Sequence, residues 1–243
     1  VDVRDAAAVN RLFTEFHPDV VIHTVALMSG DAMMATNVDG SRNIARAAAQ
    51  SFDTANAPLR TRLIHISSDV IFDGEHAPYT ENATPAPITP YAMSKALAET
   101  VVRKENARAL IVRTSLVYGF APMDPRTRQT IDGEMLYLFT DEYRCPIFVD
   151  DLADALIELA AKTSEVWKTS EVSVLNIAGS QRLSRFDFGI KLANAFGVEP
   201  RFQPALSASS PTPRPRDCAL DISRARRILK TRLRSVGEVL THM

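Results

Sequence analysis

Tyr91-Ala92-Met93-Ser94-Lys95 sets a phenol and an ammonium four residues apart, which on a helix puts both on one face. An ammonium beside a phenol favours its ionised form, so a group of ordinary pKa about 10 becomes useful for proton transfer near neutrality. Earlier in the chain, Ser67-Ser68-Asp69 closes the apolar run Leu63-Ile64-His65-Ile66, which reads as a buried strand. A hydroxyl delivered from that strand end, with Ser68 preferred and Ser67 the substitute, would hold a carbonyl oxygen against the phenol. Those three groups suit proton delivery to a ketone as it is reduced.

The spacing alone is weak evidence, because a Tyr and a Lys at this interval are often just a packed ring and a solvated charge. Context strengthens it. Thr89-Pro90 ends a loop directly before the helical stretch Tyr91 to Arg103, so the hydroxyls and the phenol fall at a strand end and a helix start. Open α/β sheets bind ligands at such places. Strand-like runs at Val20 to His23, Leu63 to Ile66, Leu110 to Arg113 and Val172 to Ile177 are separated by helix-like runs. The helices are Asp39 to Gln50, Tyr91 to Arg103 and Asp150 to Lys162. The alternation predicts an α/β fold built on a doubly wound parallel sheet.

A chain of 243 residues with 46% apolar content can bury a substantial core in one or two domains. Its net charge of −1 provides no basic field for nucleic acid or for an acidic membrane surface. Cys145 and Cys218 stand far apart with no Cys-x-x-Cys and no Cys/His cluster, which speaks against a metal centre or a disulfide scaffold and for two reduced thiols. No apolar run approaches the roughly 20 residues of a membrane span. A cytoplasmic location is therefore expected. Asp150-Asp151 is expected to cap the following helix rather than to bind metal. Asn37 either caps its segment or packs. Ile222, Ala225, Ile228 and Leu229 form an apolar stripe at helical spacing, so the arginines from Arg224 to Arg234 read as a solvated face.

With these residues in hand, the chain resembles the extended short-chain dehydrogenase/reductases, and within them the dTDP-4-dehydrorhamnose reductase (RmlD-like) family. The blocks that carry the resemblance run in order along nearly the whole chain. They include Pro18-Asp19-Val20-Val21-Ile22-His23, Asn37-Val38-Asp39-Gly40, Ser67-Ser68-Asp69-Val70-Ile71-Phe72-Asp73-Gly74 and the Tyr91/Lys95 pair. Arg113-Thr114-Ser115-Leu116-Val117-Tyr118-Gly119, Asp141-Glu142-Tyr143-Arg144-Cys145-Pro146, Val149-Asp150-Asp151-Leu152-Ala153, Asn176-Ile177-Ala178-Gly179 and Arg214-Pro215-Arg216-Asp217 follow.

The resemblance implies a Rossmann-like NAD(P)-binding domain over 1–119 and 148–179, interleaved with a small substrate-binding domain over 120–147 and 180–243. It implies NADPH as hydride donor, with NAD as the alternative, and the C4 ketone of a dTDP-4-keto-6-deoxy sugar as substrate. Ser68, Tyr91 and Lys95 would be catalytic, Lys95 also binding the nicotinamide ribose. Asp2, Val3, His23 and Ala26 would complete the cofactor site, with Asp2-Val3 at the adenine. Asn37 would brace the active-site strand. Arg214 and Arg216, in a Pro-containing loop, offer guanidinium forks for a substrate diphosphate, with Arg144 a weaker candidate.

Departures from the family pattern matter as well. No Gly-rich turn able to hold a pyrophosphate follows a strand. The chain is therefore expected to be a fragment or truncated product, inactive as it stands, with the outer edge of Val20 to His23 left unpaired. The stretch between Ala26 and Asn37, and that from Arg128 to Leu138, look short, and Val25 stands where a small residue is usual. The alternatives are a non-catalytic regulatory subunit resembling the methionine adenosyltransferase β subunit, with a catalytic subunit as partner, or a nucleotide-sugar epimerase or dehydratase. A homodimer is left open.

Overall fold

The computed structural model describes residues 1–50, 61–132, 137–162 and 173–242. Its centre is a four-stranded parallel sheet of β1 (Val20–His23), β2 (Arg62–Ser68), β3 (Leu110–Thr114) and, later in the chain, β8 (Val174–Ile177). The order is β1-β2-β3-β8, with Ile22 opposite Ile64, Ile64 opposite Leu110 and Val112 opposite Leu175. Among the described residues β1 is one edge of this sheet. The strands foreseen in the sequence are all present, although Val172 itself lies outside the described residues.

Both faces of the sheet are covered, as a parallel sheet requires. On one face, α1 (Ala6–Phe16), α2 (Ser41–Gln50) and α3 (Pro90–Glu105) pack Val9, Phe13, Ile44, Ala48 and Val102 over Leu63. The opposite face carries a larger core in which Ile64, Leu110, Val112, Leu175 and Ile177 meet Leu152, Leu156 and Leu159 of α5 (Val149–Ala161), which follows the short α4 (Pro125–Ile131) in the chain. Ala219 to Leu233, grouped with the substrate domain in the sequence reading, packs apolar side chains into that same core. Of its helical stripe, Ile222, Ala225 and Leu229 are buried there.

Local chemistry sets the helix starts that matter for the site. Thr89 Oγ1 accepts from Ala92 N at 3.2 Å and Pro90 opens the first turn, where its missing N–H costs nothing, so Tyr91 is fixed at the front of α3. Arg113 of β3 then ties α3 to the sheet. Buried beneath the helix, it donates from Nε and Nη2 to Glu99 at 3.0 and 2.8 Å and from Nη1 to the Glu81 carbonyl. The segment expected to be helical from Asp39 begins earlier, with a wide π-helical turn at Ala35–Gly40 that runs into α2. That turn buries Asn37, whose side chain bonds both backbone groups of Leu27 at 2.8 Å and donates to Ser94 Oγ. Asp150 and Asp151 fall in the first turn of α5, where negative charge is favoured, and Asp151 also pairs with Arg234.

The remaining strands are short: β4 (Val117–Tyr118) with β7 (Ile147–Phe148), β5 (Tyr137–Phe139) with β10 (Gln203–Ala205), and β6 (Tyr143–Arg144) with β9 (Leu183–Ser184). They stand at the carboxyl end of the main sheet and carry Arg144 and the residues around it. No helix among the described residues is long and apolar enough to cross a membrane.

Candidate active site

A groove of about 820 Å³ opens over the carboxyl ends of β2 and β3, lined by Ala26, Ser67, Ser68, Asp69, Tyr91, Lys95, Thr114, Glu142, Arg144, Arg185 and Arg214. Ser68, Tyr91 and Lys95 therefore share one cavity, as their types and spacing foretold. Ala26 and two of the three candidate phosphate-binding arginines join them. Four foreseen residues do not. Asp2 is exposed and paired with Arg4 at 2.6 Å, which pulls its carboxyl to about 2. Val3 packs against Gly40, so close that any side chain there would collide with it. His23 is buried behind the groove, its Nε2 3.0 Å from Ser41 Oγ. Arg216 is not part of the lining; it is 60% exposed and 3.9 Å from Glu75.

Strand alternation separates the two serines. Ser67 lies opposite Arg113 in the register, on the face covered by α3, and Ser68 lies opposite Thr114 on the other face. Ser68 Oγ donates to Asp69 Oδ1 at 3.3 Å and accepts a long bond of 3.5 Å from Val70 N, so the hydroxyl is loosely held at the strand tip. Ser67 Oγ, Thr114 Oγ1 and both ring nitrogens of His65 are buried without a hydrogen-bond partner. Buried polar atoms are seldom left so, and the two hydroxyls line the groove.

Lys95 Nζ donates to the Ile66 carbonyl at 2.7 Å. Burial brings its pKa down to about 8, against the opposing pull of Glu99. The Tyr91 phenol behaves differently from the sequence expectation: burial, reinforced by the nearby Asp69 carboxylate, pushes its pKa up. The ammonium is turned to a strand carbonyl, so burial of the phenol and, after it, the charge of Asp69 set the direction. A raised pKa keeps Tyr91 protonated, the state needed of a proton donor. Burial and the Lys95 charge together drive His23 down to about 4 and His65 well below its ordinary value, so both rings are neutral.

Asp69, Glu142 and Arg185 belong to the groove although sequence reasoning assigned them no role. Asp69 accepts from Ser115 Oγ at 2.6 Å and sits 3.8 Å from Arg144 Nε; burial raises its pKa, and Arg144 and the serine hydroxyls offset part of the rise. Arg144 also lies 3.3 Å from Glu142 and donates to the Pro215 carbonyl at 3.1 Å. Arg214 donates to Glu142 from Nε and, at 3.0 Å, from Nη2. A continuous line of alternating charge, Arg214, Glu142, Arg144 and Asp69, thus runs from the rim to Ser68. The one hint in the sequence was the acidic residue beside each recognised group, Asp69 after Ser68 and Glu142 two before Arg144.

A parallel sheet with a Tyr/Lys helix start over a hydroxyl-bearing strand end defines the extended short-chain dehydrogenase/reductase class. Comparison with known proteins makes the assignment narrower. The family description for the RmlD substrate binding domain matches residues 1–243, and the chain belongs to that family. It is 32% identical over 232 residues to a dTDP-4-dehydrorhamnose reductase of Mycobacterium tuberculosis, covering 88% of this chain and 71% of that protein. It is 27% identical over 244 residues to methionine adenosyltransferase 2 subunit beta of Pongo abelii, covering 92% of this chain and 69% of that one. The fold is that of a Clostridium acetobutylicum dTDP-4-dehydrorhamnose reductase, with a TM-score of 0.83 at 24% identity over 100% of this chain and 85% of the other. A Bacillus anthracis dTDP-4-dehydrorhamnose reductase in complex with NADP gives 0.82 at 23% identity with the same coverage.

Proposed function

We propose that this protein reduces the C4 ketone of a dTDP-4-keto-6-deoxy sugar with NADPH, and that Ser68, Tyr91 and Lys95 carry the reaction. The observation that supports it best is the Tyr91 phenol in one groove with Ser68 and Lys95. NADPH, when bound, supplies the hydride. The groove suits such a ligand because the buried hydroxyls of Ser67 and Thr114 lack partners there, and a dinucleotide carries donors and acceptors to satisfy them. Lys95 would hold the nicotinamide ribose, with Ala26 beside the cofactor and His23 behind it. Asp2 and Val3 would serve the adenine end. Ser68 fixes the ketone oxygen, and Tyr91 gives its proton to that oxygen as negative charge builds there. Arg144 and Arg214 would face the diphosphate, and Arg216 lies outside the groove. The short strands and the loops around them form the substrate-side wall. We place the protein in the cytoplasm, with its two buried thiols reduced.

Mixing the purified natural protein with NADPH and a dTDP-4-keto-6-deoxyhexose tests the reading. Substrate-dependent loss of NADPH with appearance of the 4-hydroxy sugar supports it, and no turnover with any 4-keto sugar nucleotide removes it. The similarity to the methionine adenosyltransferase 2 β subunits favours a second reading, a binding subunit without turnover. Stable co-purification with a methionine adenosyltransferase catalytic subunit, with no NADPH consumption, would select that one.

A further inference from the structure

Arg214 is positioned to grip an anion, yet its gripping edge is already taken. Both Glu142 oxygens accept from its Nε and Nη2, the fork by which a guanidinium also holds a phosphate. Phe139 lies 4.9 Å from the Arg214 guanidinium and fixes its posture, while the side chain as a whole is 29% exposed and lines the groove. Glu142 is 3% exposed and lies 3.3 Å from Arg144 as well, so a single carboxylate serves two arginines. Burial opposes its charge, but Arg214 and Arg144, with Arg185 adding to them, outweigh burial and hold its pKa below the ordinary carboxylate value, keeping it ionised.

We propose that Glu142 is a built-in counter-ion: it occupies the phosphate-gripping edge of Arg214, and a diphosphate entering the groove takes that edge from it. The proposal deepens the reading above and rests on its view that the ligand is a nucleoside diphosphate sugar. A buried carboxylate held by two guanidinium groups resists displacement by a weakly charged ligand. A diphosphate spreads more charge over several oxygens, so it can replace both hydrogen bonds at once and draw on Arg144 as well. Glu142 in this way sets both the strength and the charge selectivity of binding, a property no single arginine in the groove possesses.

Inorganic pyrophosphate, titrated calorimetrically into the purified chain, is the probe, because its capture needs neither the base nor hydride transfer. Glu142→Gln should tighten its binding by about tenfold or more, the effect of removing one like charge at contact range. The double variant E142Q/R214M should lose that gain. Equal or weaker binding by E142Q would make Glu142 a mere anchor for Arg214 and overturn the proposal, as would a gain that survives in E142Q/R214M. Should E142Q fail to show a cooperative melting transition, Glu142→Asp keeps the charge but withdraws it by one methylene; a gain of several-fold is then expected, and none overturns the idea. A clear pyrophosphate gain in a protein that reduces no keto sugar would remove the reductase reading alone. Normal reduction without the gain would remove this proposal alone.

Discussion

The two walls of the groove solve the problem of buried polarity in opposite ways. On the sheet side, around Tyr91, Lys95, Ser67 and Thr114, polar atoms are buried with few partners, and Lys95 alone has one firm hydrogen bond, to the Ile66 carbonyl. On the opposite side, Arg214, Glu142, Arg144 and Asp69 satisfy one another. Unpaired buried groups are costly to leave and gain most from a ligand. Paired charges are stable alone and must be separated before they can bind anything. On the proposed function the sheet wall would respond to the reaction, and the charged wall would hold shape and filter what enters.

Tyr91→Phe in the natural protein should have the largest effect. Turnover should fall by about two to four orders of magnitude, the scale of losing a general acid, while NADPH affinity changes little because only the phenol oxygen is removed. Steady-state NADPH consumption measures it, and turnover like that of the unaltered protein would show that the sheet wall does no chemistry. The charged wall should break differently. Arg144→Met leaves Asp69 and Glu142 buried with less compensation, and stability should drop by about 3–5 kcal/mol. Urea denaturation reads this, and a loss under about 1 kcal/mol would mean the line of charge is dispensable.

These outcomes bear on what the sequence could reveal. The Tyr91/Lys95 pair, its Thr89-Pro90 start and the serine-bearing strand end are local signals, with each cap and face set within a few residues, and they were legible. The charged wall was not, since Arg214 and Glu142 are 72 positions apart and the pairing exists only once β6 and the loop before Asp217 lie together. The direction of the Tyr91 shift was hidden for a similar reason. Helical spacing places Lys95 on the same face, but only the fold shows its ammonium turned to Ile66 and the phenol buried within reach of the Asp69 charge. Asp2 and Val3 were named by resemblance, His23 for its strand end and Arg216 for its guanidinium fork in a Pro-containing loop, and the structure leaves all four outside the groove lining.

A pH titration sharpens the account of the sheet wall. Lys95 has a folded pKa of about 8, so its ammonium is fully present well below that pH and disappears as pH rises through it. Groups facing it are His23 and His65 from the sheet, both neutral here, with Glu99 on its own helix. If the ammonium holds the nicotinamide ribose, NADPH affinity should fall by roughly tenfold per pH unit at most above pH 8, following one proton. In Lys95→Ala that dependence should vanish and both affinity and turnover should drop. A flat profile in the unaltered protein would take the ribose away from Lys95.

The smallest effect should come from Ser67, and it separates the two adjacent hydroxyls. Ser67 Oγ is buried without a partner, so Ser67→Ala removes an unsatisfied group and only a small volume; stability should stay level or rise by up to about 1 kcal/mol. Ser68→Ala should leave stability nearly unchanged too, because its bonds of 3.3 and 3.5 Å are long and its side chain is half-buried. Turnover should divide the pair. Loss of an oxygen-holding donor at Ser68 should slow the reaction by about a hundredfold, whereas Ser67→Ala should weaken ligand binding several-fold and leave the chemical step near its original rate. Single-turnover measurements on both variants decide it. If Ser67→Ala were the slow one, the hydroxyl on the α3 face would be the ketone's partner, and Ser68 would be only the cap of the turn that presents Asp69.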